Sequence, residues 1–503
     1  MLEGEVKKRI ELYKSYEKNE DFLKELDNLL KENDEDSLYE RFYQDLAFGT
    51  AGLRGAIGAG TNRMNSFVVS RTTQGIANYL IKTYPEKAKK GELKAVIAYD
   101  SRHYSPLFAK TASLIFAANG IHAFLFSSMR ATPELSFAIR HLKTDTGIVI
   151  TASHNPPEYN GYKAYWNDGV QITAPHDEGI TEEVEKVSDI EYIEEKQAKT
   201  KNLLTIIDKE IDVPYFTSVL QMVEIGETKV IEEAKKDLKI VYTPLHGVGY
   251  YPVEYVLSKA GFNIFTVPEQ REGDGSFPTV SYPNPEDAKA LKLALDYANK
   301  MDADIVMATD PDADRFAAGV RDESGEIKLL TGNQIGVLFF DYLCQTKLKM
   351  TKSPLIIRSI VTSHMVDKIA KANGILLKEC LTGFKWICGL ARQIEKEGKD
   401  TYVFGFEESF GYNFAGDVGD KDGIAASLLF AQLSSYYKSK GSSVLERLDE
   451  LFTQYGVFTE FTINKTYKGS SGISIMKGIM EKVRLSSLKE LSGVSVLKVR
   501  DVL

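Results

Sequence analysis

The stretch SLIFAANGIHAFLF, Ser113 to Phe126, changes periodicity at a single glycine. Before Gly120 it reads as a helix, and after it as a short apolar strand. Glycine takes a left-handed C-cap at little steric cost, so a helix can stop there and a strand can follow. The same pattern recurs as YVLSKAGFNIFTV (Tyr255 to Val267) around Gly261, and as DKIAKANGILLKEC (Asp367 to Cys380) around Gly374. Helix–glycine–strand steps are common in any α/β protein. Copies more than a hundred residues apart nevertheless predict three similar α/β domains.

Working outward, short apolar runs at 95–99, 147–151, 238–242, 304–308, 355–357 and 402–404 read as strands alternating with amphipathic helices. Residues 1–45 read as helical, with Leu23, Leu26, Leu29 and Leu30 at helical spacing among charges. The predicted class is α/β: three consecutive domains with mixed, largely parallel sheets around a central cleft, plus a partial fourth domain. Expected boundaries are 1–45 (a helical extension), 46–205, 206–325, 326–455 and 456–503. The last segment holds one helix candidate, GISIMKGIMEKVR.

At 503 residues the chain is too long for one hydrophobic core. It carries 62 Lys and Arg against 71 Asp and Glu, a formal net charge of −9, which gives no general footprint for nucleic acid. No apolar run approaches a membrane span, and the N-terminus has no apolar signal core. Cys344, Cys380 and Cys388 show neither paired nor metal-type spacing, so reduced thiols in a cytoplasmic protein are expected.

Four motifs carry chemistry. In TASHNPPEYNGYK (Thr151 to Lys163), Ser153 follows a buried strand, where α/β sheets place ligands. His154 and Lys163 can move or offset charge beside it, and the prolines and Asn160-Gly161 are expected to fix the loop. Read alone, the segment is equally a capped turn. In ATDPDADRF, Asp310, Asp312 and Asp314 alternate, so an extended loop would point all three carboxylates one way. Such crowding calls for a cation, and hard oxygen ligands point to Mg²⁺. An EF-hand is excluded, because its sixth position would be Arg315 and its twelfth Arg321. Arg315 is suited to a phosphate. FGTAGLRG (Phe48 to Gly55) surrounds Arg54 with glycines, a weak anion-binding signal. A late group comprises TGFKWI (Thr382 to Ile387), GFEESFGY (Gly405 to Tyr412) and GDKDGI (Gly419 to Ile424), in which Glu407 and Ser409 offer acceptors for sugar hydroxyls.

Together these motifs resemble the α-D-phosphohexomutase superfamily, in its phosphoglucomutase and phosphopentomutase branch, from about residue 40 to 480. The resemblance implies that Ser153 carries a phosphoryl group and joins Asp310, Asp312 and Asp314 around Mg²⁺. It implies catalytic roles for His154, Lys163, Arg54 and Arg315. Substrate contacts would come from Thr50, Arg54 and Arg102, and from Thr382, Gly383 and Lys385. Glu407, Ser409 and Lys421 would complete them. The implied reaction is phosphoglucomutase, exchanging glucose 1-phosphate and glucose 6-phosphate, with glucose 1,6-bisphosphate as activator. Phosphopentoses and phosphomannose are the alternative substrates, and a non-catalytic sugar-phosphate-binding protein is a further reading. The expected partner is a sugar phosphate, with no nucleic acid or membrane, on a monomer or homodimer. A metal-dependent serine phosphatase would want a second metal site, and none of the seven histidines forms a His-x-x-x-His array. One departure stands out: 456–503 contains no R-x-S-G-T-E-P phosphate loop. The expectation is therefore a chain that stops within the fourth domain, binds Mg²⁺, holds phosphoserine and turns over poorly.

Overall fold

The computed structural model describes residues 4–49, 52–222, 229–460, 467, 469–486 and 489–501. It divides into two compact units, Met1–Gly456 and Val457–Leu503. The first opens with three helices, α1 (Gly4–Tyr16), α2 (Glu20–Glu32) and α3 (Glu35–Phe42). Asn19 and Asp34 cap the second and third through their side chains, as the sequence of short polar breaks requires. Their apolar faces close on the first domain: the Tyr13 ring meets Phe42 and Phe67 edge-on at 5.6 Å. Buried Glu17 accepts the Phe67 backbone N–H at 3.0 Å, so a charged residue anchors the next helix instead of facing water.

Three sheets follow. The first contains β1 (Leu53–Ala56), β2 (Lys94–Tyr99), β3 (His122–Phe126), β4 (Thr146–Ile150), β5 (Tyr159–Trp166) and β6 (Leu204–Ile207), in the order β1-β5-β4-β2-β3-β6. The second contains β7 (Ile240–Thr243), β8 (Ile264–Thr266), β9 (Ile305–Thr309), β10 (Phe316–Arg321) and β11 (Ile327–Leu329), ordered β11-β10-β9-β7-β8. The third contains β12 (Pro354–Ser359), β13 (Leu376–Cys380), β14 (Thr401–Glu407) and β15 (Gly411–Asn413), ordered β13-β12-β14-β15. Parallel strands fill the interior of each sheet, and antiparallel strands β1, β5, β10, β11 and β15 finish one edge. Gly120, Gly261 and Gly374 all have positive φ (73°, 88° and 65°), and β3, β8 and β13 follow them. The repeat expected from the sequence is thus present in all three domains.

The parallel strands other than β6 were legible as apolar runs or helix–glycine–strand steps, with ends displaced by up to three residues. The antiparallel edge strands were not. Tyr159–Trp166 carries Asn160-Gly161, which reads as a turn yet lies inside β5. The reason is close approach: a Cβ on Gly161 would stand 2.5 Å from the Thr151 carbonyl oxygen and 2.8 Å from that of Leu53. Glycine is there to let β1, β5 and the end of β4 meet.

The second unit, among its described residues, has a helix Gly469–Leu485 where one was expected and a hairpin of β16 (Glu490–Leu491) and β17 (Val494–Ser495). No helix among the described residues is long and apolar enough to cross a membrane.

Phe339 is fully buried in the helix Gly332–Gln345, with rings of Phe316, Phe404, Tyr412, Phe414 and Phe430 around it at 5.1–6.3 Å. That cluster joins the second sheet to the third. Phe339→Ala is expected to cost about 3–5 kcal/mol, read as a lower denaturation midpoint for the third domain.

Candidate active site

Strand β4 is buried along its whole length and ends at the Ser153 loop. Ser153 sits at φ 52°, a left-handed conformation costing about 1–3 kcal/mol for a non-glycine residue unless its surroundings hold it. They do. The Ser153 N–H donates to Thr151 Oγ1 at 2.8 Å. Arg102 then gathers the loop: its Nη1 donates to the carbonyls of Pro156 (2.8 Å) and Tyr159 (3.0 Å), and its Nη2 to those of Ser153 (2.7 Å) and Asn155. Asp100 is its counter-ion at 3.4 Å. Arg102, expected at the substrate, is thus engaged with the loop itself. Its guanidinium is buried, with both ends committed to backbone carbonyls, and it shapes the loop from behind. Asn160 also works inward, donating to the His103 carbonyl (3.0 Å) and to Ser105 Oγ (2.9 Å).

Strand β9 delivers the three aspartates. They do not lie on an extended loop as expected; a tight turn with Ala313 at φ 53° folds them together. All three are buried, and an oxygen from each lies within 4.8 Å of the others. Ser153 Oγ donates to Asp310 Oδ2 at 2.7 Å, joining the two loops across domains. Lys163, on β5, donates to Asp312 Oδ2 (2.7 Å) and Asp314 Oδ2 (3.1 Å). Lys421, from the third domain, lies 3.1 Å from Asp314 Oδ2 and 3.2 Å from Asp420 Oδ1. The Arg315 backbone N–H donates to Asp310 Oδ1 at 3.0 Å, while its Nη1 pairs with Glu286.

Burial opposes ionisation of every aspartate here, and the neighbours decide the outcome. Burial, then Asp312 and Asp314, push Asp310 well above the usual carboxylate range. At Asp312 burial is outweighed by Lys163, which holds the carboxyl well below it. Burial would discharge Lys163, but Asp312 and Asp314 hold its pKa up, and Lys421 is raised likewise by Asp314 and Asp420. The Oδ1 atoms of Asp312 and Asp314 are buried with no hydrogen-bond partner. Orphaned hard oxygens within one small volume fit a divalent cation, so these three residues can hold a metal ion.

His154 Nδ1 lies 3.1 Å from Ser153 Oγ. Burial, then the positive charges of Arg315 and Arg54, pull its pKa down to about 3, so the imidazole is neutral near pH 7. Arg54 is exposed on β1, with Nη1 donating to Asn155 Oδ1 at 3.3 Å. Thr50 lies outside the described residues. Glu407 ends β14, mostly buried, and accepts the Gly383 N–H; burial raises its pKa against the pull of Lys421. Phe384 places its ring 5.5 Å from Lys421 Nζ, linking the 382–387 segment to the aspartates. Thr382, Lys385 and Ser409 stand apart from this knot. Thr382 is exposed, Lys385 lies over the Trp386 ring at 5.6 Å, and Ser409 Oγ donates to Glu408 at 3.1 Å.

Sequence reasoning missed Thr132, whose hydroxyl donates to Asp312 Oδ2 (2.7 Å) and whose N–H donates to the Asp312 carbonyl (3.0 Å). It missed Asp420 too, which accepts from Tyr165 OH at 2.6 Å and pairs with Lys421. Thr132 precedes a proline at an ordinary helix start, so no local signal marks it.

Models described as phosphoglucomutase/phosphomannomutase α/β/α domains I, II and III match residues 45–191, 214–325 and 331–455. A phosphoribomutase of Saccharomyces cerevisiae is 38% identical over 484 residues, covering 91% of this chain and 76% of the relative. A phosphoglucomutase of Staphylococcus epidermidis is 35% identical over 462 residues, covering 91% and 81%. The crystal structure of a phosphoglucomutase/phosphomannomutase family protein from Burkholderia thailandensis superposes with a TM-score of 0.64 at 18% identity, over 81% of this chain and 80% of that one, a likeness of fold.

Two outcomes are expected. A divalent cation at about a hundredfold its dissociation constant should stabilise the fold by about 2.7 kcal/mol, seen in calorimetry and lost in Asp312→Asn. The His154 ring resonance should not titrate between about pH 5 and 8. Because the unfolded chain takes up that proton near pH 6.5 and the folded chain only near 3, stability falls as pH drops through this window.

Proposed function

Because this chain belongs to the phosphoglucomutase/phosphomannomutase family of intramolecular phosphotransferases, we propose that it interconverts glucose 1-phosphate and glucose 6-phosphate through a phosphorylated Ser153 and a bisphosphorylated sugar. The observation that carries this reading is the 2.7 Å contact of Ser153 Oγ with Asp310, inside a ring of Asp312, Asp314, Lys163 and Lys421 drawn from all three domains. A hydroxyl so placed has cations beside it for a phosphoryl group.

Asp310, Asp312 and Asp314, with a phosphoserine oxygen, would hold Mg²⁺, which neutralises phosphate charge when bound. The chain's own residues do the rest. In transfer, the bond from phosphorus to Ser153 Oγ breaks and one to a sugar hydroxyl oxygen forms. The hydroxyl proton passes to the neutral imidazole of His154, which returns it to Ser153 Oγ, 3.1 Å away. Lys163, held charged by two aspartates, stays fixed beside the phosphoryl oxygens. Arg54 and Arg315 flank His154 and offer guanidinium donors to the phosphate. Glu407, oriented by the Gly383 N–H, and Ser409 accept from sugar hydroxyls. The bisphosphate then turns over and returns its other phosphate to the serine.

A phosphopentose is the second reading, favoured by the 38% identity to a protein named phosphoribomutase. Intact mass should reveal one added phosphoryl group, absent in Ser153→Ala. A coupled assay with glucose 1-phosphate, Mg²⁺ and a trace of glucose 1,6-bisphosphate should give product with the wild type and, with Ser153→Ala, at least about a thousandfold less. Ribose 1-phosphate in parallel assigns the sugar. An unmodified Ser153, or full turnover by Ser153→Ala, sinks the proposal.

A further inference from the structure

Away from Ser153, the loops after β3 and β6 face residues 248–252 of the second domain across a cavity of about 370 Å³. Its walls are rich in acceptors. Glu134, in the helix Thr132–Leu142, is 1% exposed, and its Oε1 has no hydrogen-bond donor. The nearest cation, Arg130, cannot supply one, because all five of its N–H groups are engaged. Nε donates to Asp212 Oδ1 (2.8 Å), and Nη1 to Ser128 Oγ (2.6 Å) and the Met129 carbonyl (3.0 Å). Nη2 donates to Asp208 Oδ1 and Asp212 Oδ2, each at 3.1 Å. The Arg130 Nε stays 3.9 Å from Glu134 Oε1, beyond hydrogen-bond range.

Charge points the same way. Three carboxylates, Glu134, Asp208 and Asp212, face Arg130 and the exposed Lys209; burial, then Asp212, push Glu134 well above the usual carboxylate range, so its ionised form calls for an added cation. The remedy is a ligand that brings both N–H donors and positive charge. A bare metal ion is the wrong shape for it. Among the described residues, only Asp310, Asp312 and Asp314 bring three such ligand atoms within 4.8 Å of one another. Tyr251 supplies an aromatic wall suited to an alkylammonium chain.

We propose that this cavity binds an organic ammonium ion, its N–H groups donating to Glu134 and its charge set against Asp208 and Asp212. The site is wired to the aspartate turn: Thr132, two residues before Glu134, holds Asp312 through both hydroxyl and backbone N–H. An occupant therefore clamps the first and second domains together beside the metal-binding carboxylates.

The test is isothermal titration of the full chain with 1,4-diaminobutane at low ionic strength, which is independent of mutase turnover. Saturable one-to-one binding is expected. Glu134→Gln, which keeps the shape and removes the charge, should weaken it about tenfold or more. Asp208→Asn, on a partly exposed side chain whose loss spares the fold, should weaken it about threefold or more. Asp322→Asn, on a remote turn, should leave it unchanged. Absence of saturable binding, or equal affinity in wild type and both Glu134→Gln and Asp208→Asn, overturns the proposal. Magnesium chloride binding more tightly at this place, and losing that binding in Glu134→Gln, overturns it in favour of a metal.

Discussion

Three aspartates buried within one small volume would repel one another apart, and much of this fold is arranged around preventing that. Lys163 reaches them from the first domain, Lys421 from the third, and the Arg315 backbone from their own turn. A buried ion pair that loses one partner leaves the other charge uncompensated, at a cost of about 3–5 kcal/mol. Each domain therefore has an electrostatic reason to stay in contact with the second. The same carboxylates that attract a cation also act as the fastening between domains.

Around that centre the supports differ in kind. Ser153 is held by backbone geometry, through a left-handed residue and four carbonyls gripped by one buried arginine. The carboxylates are held by charge. The Glu407 segment is held by packing: a Cβ on Gly332 would stand 1.9 Å from the Glu408 carbonyl oxygen, so the helix Gly332–Gln345 butts directly against it. Thr382, Lys385 and Ser409 lack comparable braces.

The sequence made the parallel strands and helix stops legible because each rests on a local cause, an apolar run or a glycine at positive φ. Ser153, the aspartates and Lys163 stood out because hydroxyl and charged side chains crowd together in short motifs next to apolar strands. The loop contacts of Arg102 were not legible because they depend on which way its guanidinium points, and burial beside Asp100 is a tertiary fact. Thr132 was invisible for a related reason: its partner is Asp312, far off in the chain, and threonine before proline is unremarkable. The antiparallel edge strands escaped because β5 owes its glycine to two neighbouring carbonyls and not to a turn.

The N-terminal helices carry a consequence for what counts as a module. The first family segment begins at residue 45, yet Tyr13, Phe22, Leu26 and Phe42 belong to the same buried cluster as Leu53 and Phe67. Glu17 starts the helix that contains Phe67. The matched family segment and the piece that folds together are therefore different stretches of chain. Cutting at residue 45 would strip one side of the first domain's core and offer its aromatic face to other molecules, inviting aggregation.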